Sequence, residues 1–180
     1  MFLYKKIEFE DCELITEQLL SIVKEHNPES EVSRAFDINL IHEKVPRLSE
    51  QLRSMNIEIE IFREFVSQPY QGIKIHVDGT QEHPKFLALN WPVENCKNTK
   101  MVWWKFESDP KLFVDMYDVA FGKNIPLKFY SEENAVKIGE CEIVSPTLVN
   151  VKEYHSVVNG PNIRRMVSFR FKPEPLHLLD

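Results

Sequence analysis

The feature that most constrains the fold of this chain is a change in the spacing of its apolar residues at Asn56. Before Asn56, apolar side chains recur every three or four positions; beyond it they recur every two, as in the isoleucine–glutamate alternation of residues 57–61. A spacing of two places apolar side chains on one face of a β-strand and polar side chains on the other. The sequence therefore predicts a β-rich region after Asn56, preceded by helices.

Short apolar runs separated by turns continue to residue 171. The predicted strands are 57–61, 73–77, 86–91, 101–106, 126–130, 140–144, 147–151, 154–158 and 166–171. Many short strands in succession are typical of an antiparallel sandwich or barrel. One helix is expected to interrupt them, because Asp109 and Pro110 are start signals and apolar residues then follow at helical spacing up to Gly122.

The first third of the chain predicts helices that support the β core. After Asp11, a helical stripe is formed by four apolar residues, Ile15, Leu19, Ile22 and Val23. A second helical pattern runs from Ile38 to Met55, and Pro46 is expected at the first turn of its later part. We expect both stripes to pack against the sheet.

No repeat, low-complexity tract or linker-like segment divides the sequence. The prediction is a single domain, residues 1–180, with a helical support region at 1–55 and a β core at 56–172. A chain of 180 residues is long enough to bury a sizeable core.

Charge and cysteine content narrow the functional class. The net charge of −6 disfavours a general nucleic-acid binder, which normally carries a basic patch. Three widely spaced cysteines argue against a disulfide framework. The start of the chain lacks the apolar run of a signal peptide, and no segment has the apolar length of a membrane span. We expect a soluble, cytoplasmic protein without a membrane partner.

His76 and Asp78 form the first candidate site. Residues two apart on a strand share a face, so an imidazole and a carboxylate can point at one position. By itself this pair is also compatible with a hydrogen-bonded pair at the surface. His83 is near enough to compete as a metal ligand, but Pro84 and loop-like neighbours favour a place at the rim.

The second candidate region lies near the end of the chain. A strand that carries His155 is followed by a turn and a returning strand that begins with arginine. Arg165 shares a face with the apolar residues Val167 and Phe169, so its side chain is predicted to start from the inward side. A buried arginine needs an anion, supplied either by a structural carboxylate or by a ligand. Arg164 competes for this role, because a register error of one residue would exchange their faces.

Taken together, these residues resemble the 2-oxoglutarate- and Fe(II)-dependent oxygenases. The match consists of His76-x-Asp78, His155 about eighty residues later and an arginine ten residues beyond it. The tail, with Ser168 and Arg170, and the run from Leu89 to Cys96 resemble the aspartyl/asparaginyl β-hydroxylase-like branch and small phage-type relatives. Arg170 itself is expected to be structural. The resemblance covers roughly residues 57–172 and implies a double-stranded β-helix core, the jelly-roll fold shared with cupins.

The resemblance also implies a cofactor set and a reaction. Fe(II) would be bound by His76, Asp78 and His155, with 2-oxoglutarate as cosubstrate and O2 as oxidant. Arg165 would hold the distal carboxylate of 2-oxoglutarate. The reaction would yield succinate and CO2 and hydroxylate an unidentified substrate, either a peptide side chain or a small molecule.

The role of Asn90 and the functional class of the protein both stay open at this point. Asn90 is a polar residue on an apolar strand face, so it either contacts 2-oxoglutarate or substrate, or bonds a neighbouring strand. The protein could instead be a cupin-like protein that binds a metal or small molecule without this reaction. A structural or interaction protein with incidental histidines is the third possibility.

Overall fold

A computed structural model of the chain describes residues 1–29, 33–78, 86–120 and 123–179, with the main chain alone between 114 and 127. Its helices are α1 (Cys12–His26), α2 (Asn39–Lys44) and α3 (Pro46–Ser54), and a 3-10 turn spans Leu176–Leu179. The strands are β1 (Tyr4–Lys6), β2 (Arg34–Phe36), β3 (Ile59–Ser67), β4 (Ile73–His76), β5 (Leu87–Glu94), β6 (Lys100–Phe106), β7 (Leu112–Ala120), β8 (Lys123–Tyr130), β9 (Ala135–Glu142), β10 (Thr147–Asn150), β11 (His155–Val158) and β12 (Arg164–Phe171).

The strands form two six-stranded antiparallel sheets. Sheet I has the order β1-β10-β5-β12-β3-β2, and sheet II has the order β7-β8-β4-β11-β6-β9. Sequential strands therefore alternate between the sheets in several places, as in a double-stranded β-helix. The prediction of a mainly β, jelly-roll-like fold with supporting helices is confirmed.

The two faces of sheet I are buried against different partners. One face packs on the helices, and this core contains the whole predicted stripe of α1 together with Trp91 and Phe169. The other face packs on sheet II, where Met166 of β12 shares a cluster with Met101 and Trp103 of β6. The layers are thus helices, sheet I and sheet II, and the space between the sheets is a second, separate core.

The expected helix at 109–122 is wrong. Residues 112–120 and 123–130 form an antiparallel hairpin, in which Val114 lies opposite Phe129. The hairpin joins sheet II because Tyr130 of β8 pairs with Ile75 of β4. The apolar residues of this segment are both adjacent and four positions apart, a pattern that fits a strand as well as a helix. Hydrogen bonding to neighbouring strands favours the strand. Gly122, the expected helix end, lies outside the described residues.

No helix in the described part of the chain is long and apolar enough to cross a membrane.

Gly72, the residue before β4, lies close to the main chain of the neighbouring strand β11. A Cβ atom added at Gly72 would lie 2.5 Å from the main-chain oxygen of Val157. We expect Gly72→Ala to destabilise the fold by about 1–3 kcal/mol, because the two strands must separate to accept the methyl group. Urea unfolding measures the change. Gly160→Ala is the control and should cost less, since its Cβ would meet its nearest neighbours at 3.3 Å.

Candidate metal centre

Strand pairing in sheet II brings the two candidate histidines together. His155 of β11 lies directly opposite His76 of β4 in the antiparallel ladder. Directly opposite residues of paired strands project from the same face. The two imidazole ring centroids are consequently 4.2 Å apart, although the residues are about eighty positions apart in the sequence.

Asp78 completes the cluster from just beyond the end of β4. Its main-chain N–H donates a hydrogen bond to Val151 O at 2.9 Å. Its Oδ1 lies 3.5 Å from His76 Nε2 and 3.8 Å from His155 Nε2. One ligand atom from each of the three residues lies within 4.8 Å of the other two. The structure therefore brings together all three predicted metal ligands.

Main-chain carbonyls set the tautomer of both imidazoles. His76 Nδ1 is 2.8 Å from Lys74 O, and His155 Nδ1 is 2.9 Å from Glu153 O. A carbonyl oxygen can only accept, so each Nδ1 carries the proton and donates it. In the neutral ring, each Nε2 then keeps a lone pair, as a metal ligand requires, and the two Nε2 atoms lie 3.5 and 3.8 Å from Asp78 Oδ1.

The electrostatics of the cluster also suit a cation. Burial, with a further contribution from His76, lowers the pKa of His155 to about 3, so this imidazole is neutral near pH 7. Burial alone would raise the pKa of Asp78. The charge of Arg170 and the two imidazoles outweigh that effect and lower the pKa to about 2. The site thus offers a carboxylate at Asp78 and a neutral imidazole at His155.

This donor set matches a particular metal class. Two imidazole nitrogens and one carboxylate oxygen form the facial triad of non-haem Fe(II) oxygenases, whereas Mg²⁺ and Ca²⁺ prefer oxygen donors. Within the described residues, this is the only group of three or more histidine, cysteine or acidic side chains close enough to hold a metal. The residues present fit Fe(II). His83, the competing ligand, lies outside the described residues.

Arg170 contacts the second oxygen of Asp78, a role that sequence reasoning missed. Its Nη2 donates to Asp78 Oδ2, and its Nη1 donates to Ser168 Oγ. Ser168 Oγ donates in turn to Asn90 Oδ1 at 2.6 Å. Asn90 thus bonds a neighbouring strand, one of the two roles expected for it. The alternation of side chains along β12 could have indicated this role. Arg170 and Ser168 lie on the same face of β12 as Met166, which packs against sheet II.

Arg165 does not approach the triad, and the prediction that it faces the site is wrong. Its apolar companions Val167 and Phe169 pack against the helices rather than sheet II. The Arg165 guanidinium donates to Glu64 Oε1 at 3.2 Å and to the main-chain oxygen of Asn27 at 3.0 Å. Arg165 and Glu64 are 2% and 0% exposed. The anion that the buried arginine needed is therefore a structural carboxylate.

Arg164 takes the face that was expected for Arg165. It begins the row of alternate residues of β12 that continues with Met166 toward sheet II, and it is 4% exposed. No ion pair joins it to any residue in the described ranges, and its Nε has no hydrogen-bond partner. Its neighbour Cys96 does not neutralise it, because burial raises the pKa of that thiol. Arg164 is a buried cation with no anionic partner in the part of the chain that the structure describes.

Comparisons with known proteins identify similar folds and no family. No family model matches the sequence, and no curated protein matches it. A prolyl-4-hydroxylase from Pseudomonas putida aligns with TM-score 0.48 and 12% identity over 93% of this chain and 87% of that chain. A viral collagen prolyl hydroxylase from Paramecium Bursaria Chlorella virus-1, in complex with 2OG, aligns with TM-score 0.45 and 11% identity. The alignment covers 94% of this chain and 95% of that chain.

A prolyl hydroxylase from Trichoplax adhaerens, in complex with a hypoxia inducible factor peptide fragment, aligns with TM-score 0.46 and 10% identity. The alignment covers 98% of this chain and 87% of that chain. At these identities the similarity is one of architecture.

Proposed function

We propose that this protein is a non-haem Fe(II) oxygenase that couples oxidative decarboxylation of 2-oxoglutarate to hydroxylation of a substrate. The observation that carries the proposal is the convergence of His76, Asp78 and His155, with the Nδ1 of both rings bonded to main-chain carbonyls so that Nε2 is left to accept a metal. Three protein ligands on one side of a metal leave positions open for a cosubstrate and O2.

His76, Asp78 and His155 would hold the iron, and the bound metal would supply the activation of O2 that protein side chains lack. The protein contributes orientation and a dry environment. Carbonyl hydrogen bonds fix both imidazole rings, and Phe129 packs at 5.6 Å from the ring of His76. The fully buried Trp103, directly opposite His155 in β6, helps to keep water from that side of the site.

Arg164 is the residue that we assign to the distal carboxylate of 2-oxoglutarate. It is buried, permanently charged and without an anionic partner among the described residues, and a guanidinium can bind a carboxylate through two parallel hydrogen bonds. Desolvating an unpaired charge is costly, so a site that keeps one is suited to an anionic ligand. The cosubstrate-binding role that the sequence suggested for Arg165 is therefore assigned to the adjacent residue, Arg164.

The substrate that we propose is a peptide side chain or a small molecule with an oxidisable C–H bond. The experiment that tests the function measures Fe(II) stoichiometry in anaerobically purified protein and then succinate formation after O2 is admitted. We expect about one Fe(II) per chain, and succinate only when Fe(II) and 2-oxoglutarate are both present. Absence of stoichiometric Fe(II) binding would contradict the proposal. Metal binding without 2-oxoglutarate-dependent succinate, with every candidate substrate, would favour a cupin-like binding protein.

Arg164→Met should weaken 2-oxoglutarate binding by about 100-fold, since removal of one partner of a buried charge pair typically costs 2–5 kcal/mol. Isothermal titration of the Mn(II)-loaded protein measures this without turnover. Mn(II) affinity should stay near the wild-type value, because Arg164 is not a metal ligand. Arg47→Met, at an exposed arginine paired with Asp11, is the matched control and should change neither affinity. An unchanged 2-oxoglutarate affinity in Arg164→Met would refute the assignment.

A further inference from the structure

The three proposed metal ligands are held in different ways. His76 and His155 belong to paired strands, so the ladder of sheet II fixes their main chains. Asp78 lies two residues past the end of β4, where no ladder continues, and only its N–H bond to Val151 anchors its main chain among the described residues. The direction of its carboxylate must therefore be set by side-chain contacts.

Those contacts come from the opposite sheet. Arg170 of β12 reaches across the sandwich, where one Nη atom donates to Asp78 Oδ2 and the other to Ser168 Oγ. Ser168 lies directly opposite Asn90 in β5, and its hydroxyl donates to Asn90 Oδ1. Ser168 is fully buried, Arg170 is buried and Asn90 is half-buried. The chain of hydrogen bonds runs from Asn90 to Asp78 without a break.

We propose that Asn90, Ser168 and Arg170 form a positioning relay that holds Asp78 as a one-oxygen metal ligand. The inference rests on the proposed function, since it concerns that metal site. A guanidinium is planar, so fixing one Nη on Ser168 fixes the direction of the other toward Asp78. With Oδ2 occupied by Arg170, Oδ1 is the oxygen that faces the two Nε2 atoms. None of the three relay residues touches the metal; each acts through Asp78.

Charge neutralisation alone does not account for this arrangement. Any cation beside Asp78 would offset its charge, and Ser168 and Asn90 would then be dispensable. A positive charge next to the ligand also opposes the binding of a metal cation. The benefit of Arg170 to metal binding is therefore orientation, and the variant that isolates orientation is one that changes no charge.

Ser168→Ala is that variant. We expect it to raise the dissociation constant for Mn(II), measured from the electron paramagnetic resonance signal of free Mn(II), by about 10-fold, as the loss of a hydrogen bond that orients a metal ligand typically does. Asn90→Ala should act in the same direction with a smaller effect. In an Arg170→Lys background, Ser168→Ala should add little, because one ammonium cannot replace the fork that joins Ser168 to Asp78.

Thr99→Val is the matched control. Thr99 is a buried residue whose hydroxyl also donates to an asparagine Oδ1, that of Asn159 at 2.9 Å, outside the relay. It should lower stability as Ser168→Ala does but leave Mn(II) affinity unchanged. A wild-type Mn(II) affinity in folded Ser168→Ala would overturn the relay. If that variant does not fold, Asn90→Ala decides by the same criterion. Failure of the wild-type protein to bind Mn(II) would refute the proposed metal site instead, so the two outcomes are distinct.

Discussion

Asp78→Asn is expected to weaken Fe(II) binding by more than about 100-fold, which exceeds the loss expected when a group that only orients a metal ligand is removed. The substitution keeps the shape of the side chain and an oxygen that can accept from Arg170, so the fold should survive. It removes the negative charge that faces the two Nε2 atoms. Anaerobic Fe(II) titration measures the affinity, and circular dichroism checks the fold.

His155→Ala should have an effect of the same size, because it removes a ligand from a three-ligand site. His26→Gln is the control. His26 Nδ1 also bonds a main-chain carbonyl, that of Ile22 at 2.9 Å, but His26 is no member of the described metal cluster. Wild-type Fe(II) affinity in either Asp78→Asn or His155→Ala would eliminate the triad, and with it the proposed oxygenase activity.

The second large effect is on stability. Glu64→Ala should lower the free energy of unfolding by about 3 kcal/mol, because the buried Arg165 then keeps, among the described carboxylates, only the longer contact of its Nε with the half-buried Glu94, at 3.4 Å. Glu64 also accepts a hydrogen bond from Asn27 Nδ2 at 2.7 Å. The substitution therefore also removes a contact to the residue that ends α1. Urea denaturation measures the change.

The double substitution Glu64→Leu with Arg165→Met should recover most of that loss, since apolar residues can replace a buried pair at little net cost. The double variant should also keep wild-type 2-oxoglutarate affinity, because Arg165 faces the helices. A double variant as unstable as Glu64→Ala would contradict the account of the pair. A large loss of 2-oxoglutarate affinity in a folded double variant would return the cosubstrate role to Arg165.

Much of this architecture could be predicted because it follows local patterns. The stripe of α1 and the period-two strands are set by burial on one face, and both are read directly from residue spacing. The cluster of the three proposed metal ligands was also predictable, since His76 and Asp78 are close in the sequence and His155 has a recognisable context. The hairpin at 112–130 was not, because strand pairing with distant β4 overrode a local pattern that also fits a helix.

The arginines show a different limit. Alternation correctly separated Arg164 from Arg165, but it could not say which face of β12 meets the ligands, because both faces of sheet I are buried. Apolar companions marked the helix-packed face, whereas the face toward sheet II carries Arg164, Ser168 and Arg170. In a three-layer protein, the polar face of a buried strand is the better guide to the site.

The pairing of β4 with β11 would give a bound metal a role in assembly. His76 and His155 close a loop of about eighty residues, and bringing such distant segments together carries an entropy cost. During synthesis, the site remains incomplete until β11 has left the ribosome and inserted between β4 and β6. A metal bound there would act as a late cross-link within sheet II, so part of its binding free energy becomes folding free energy. Maturation of the enzyme would then depend on iron supply as well as on translation.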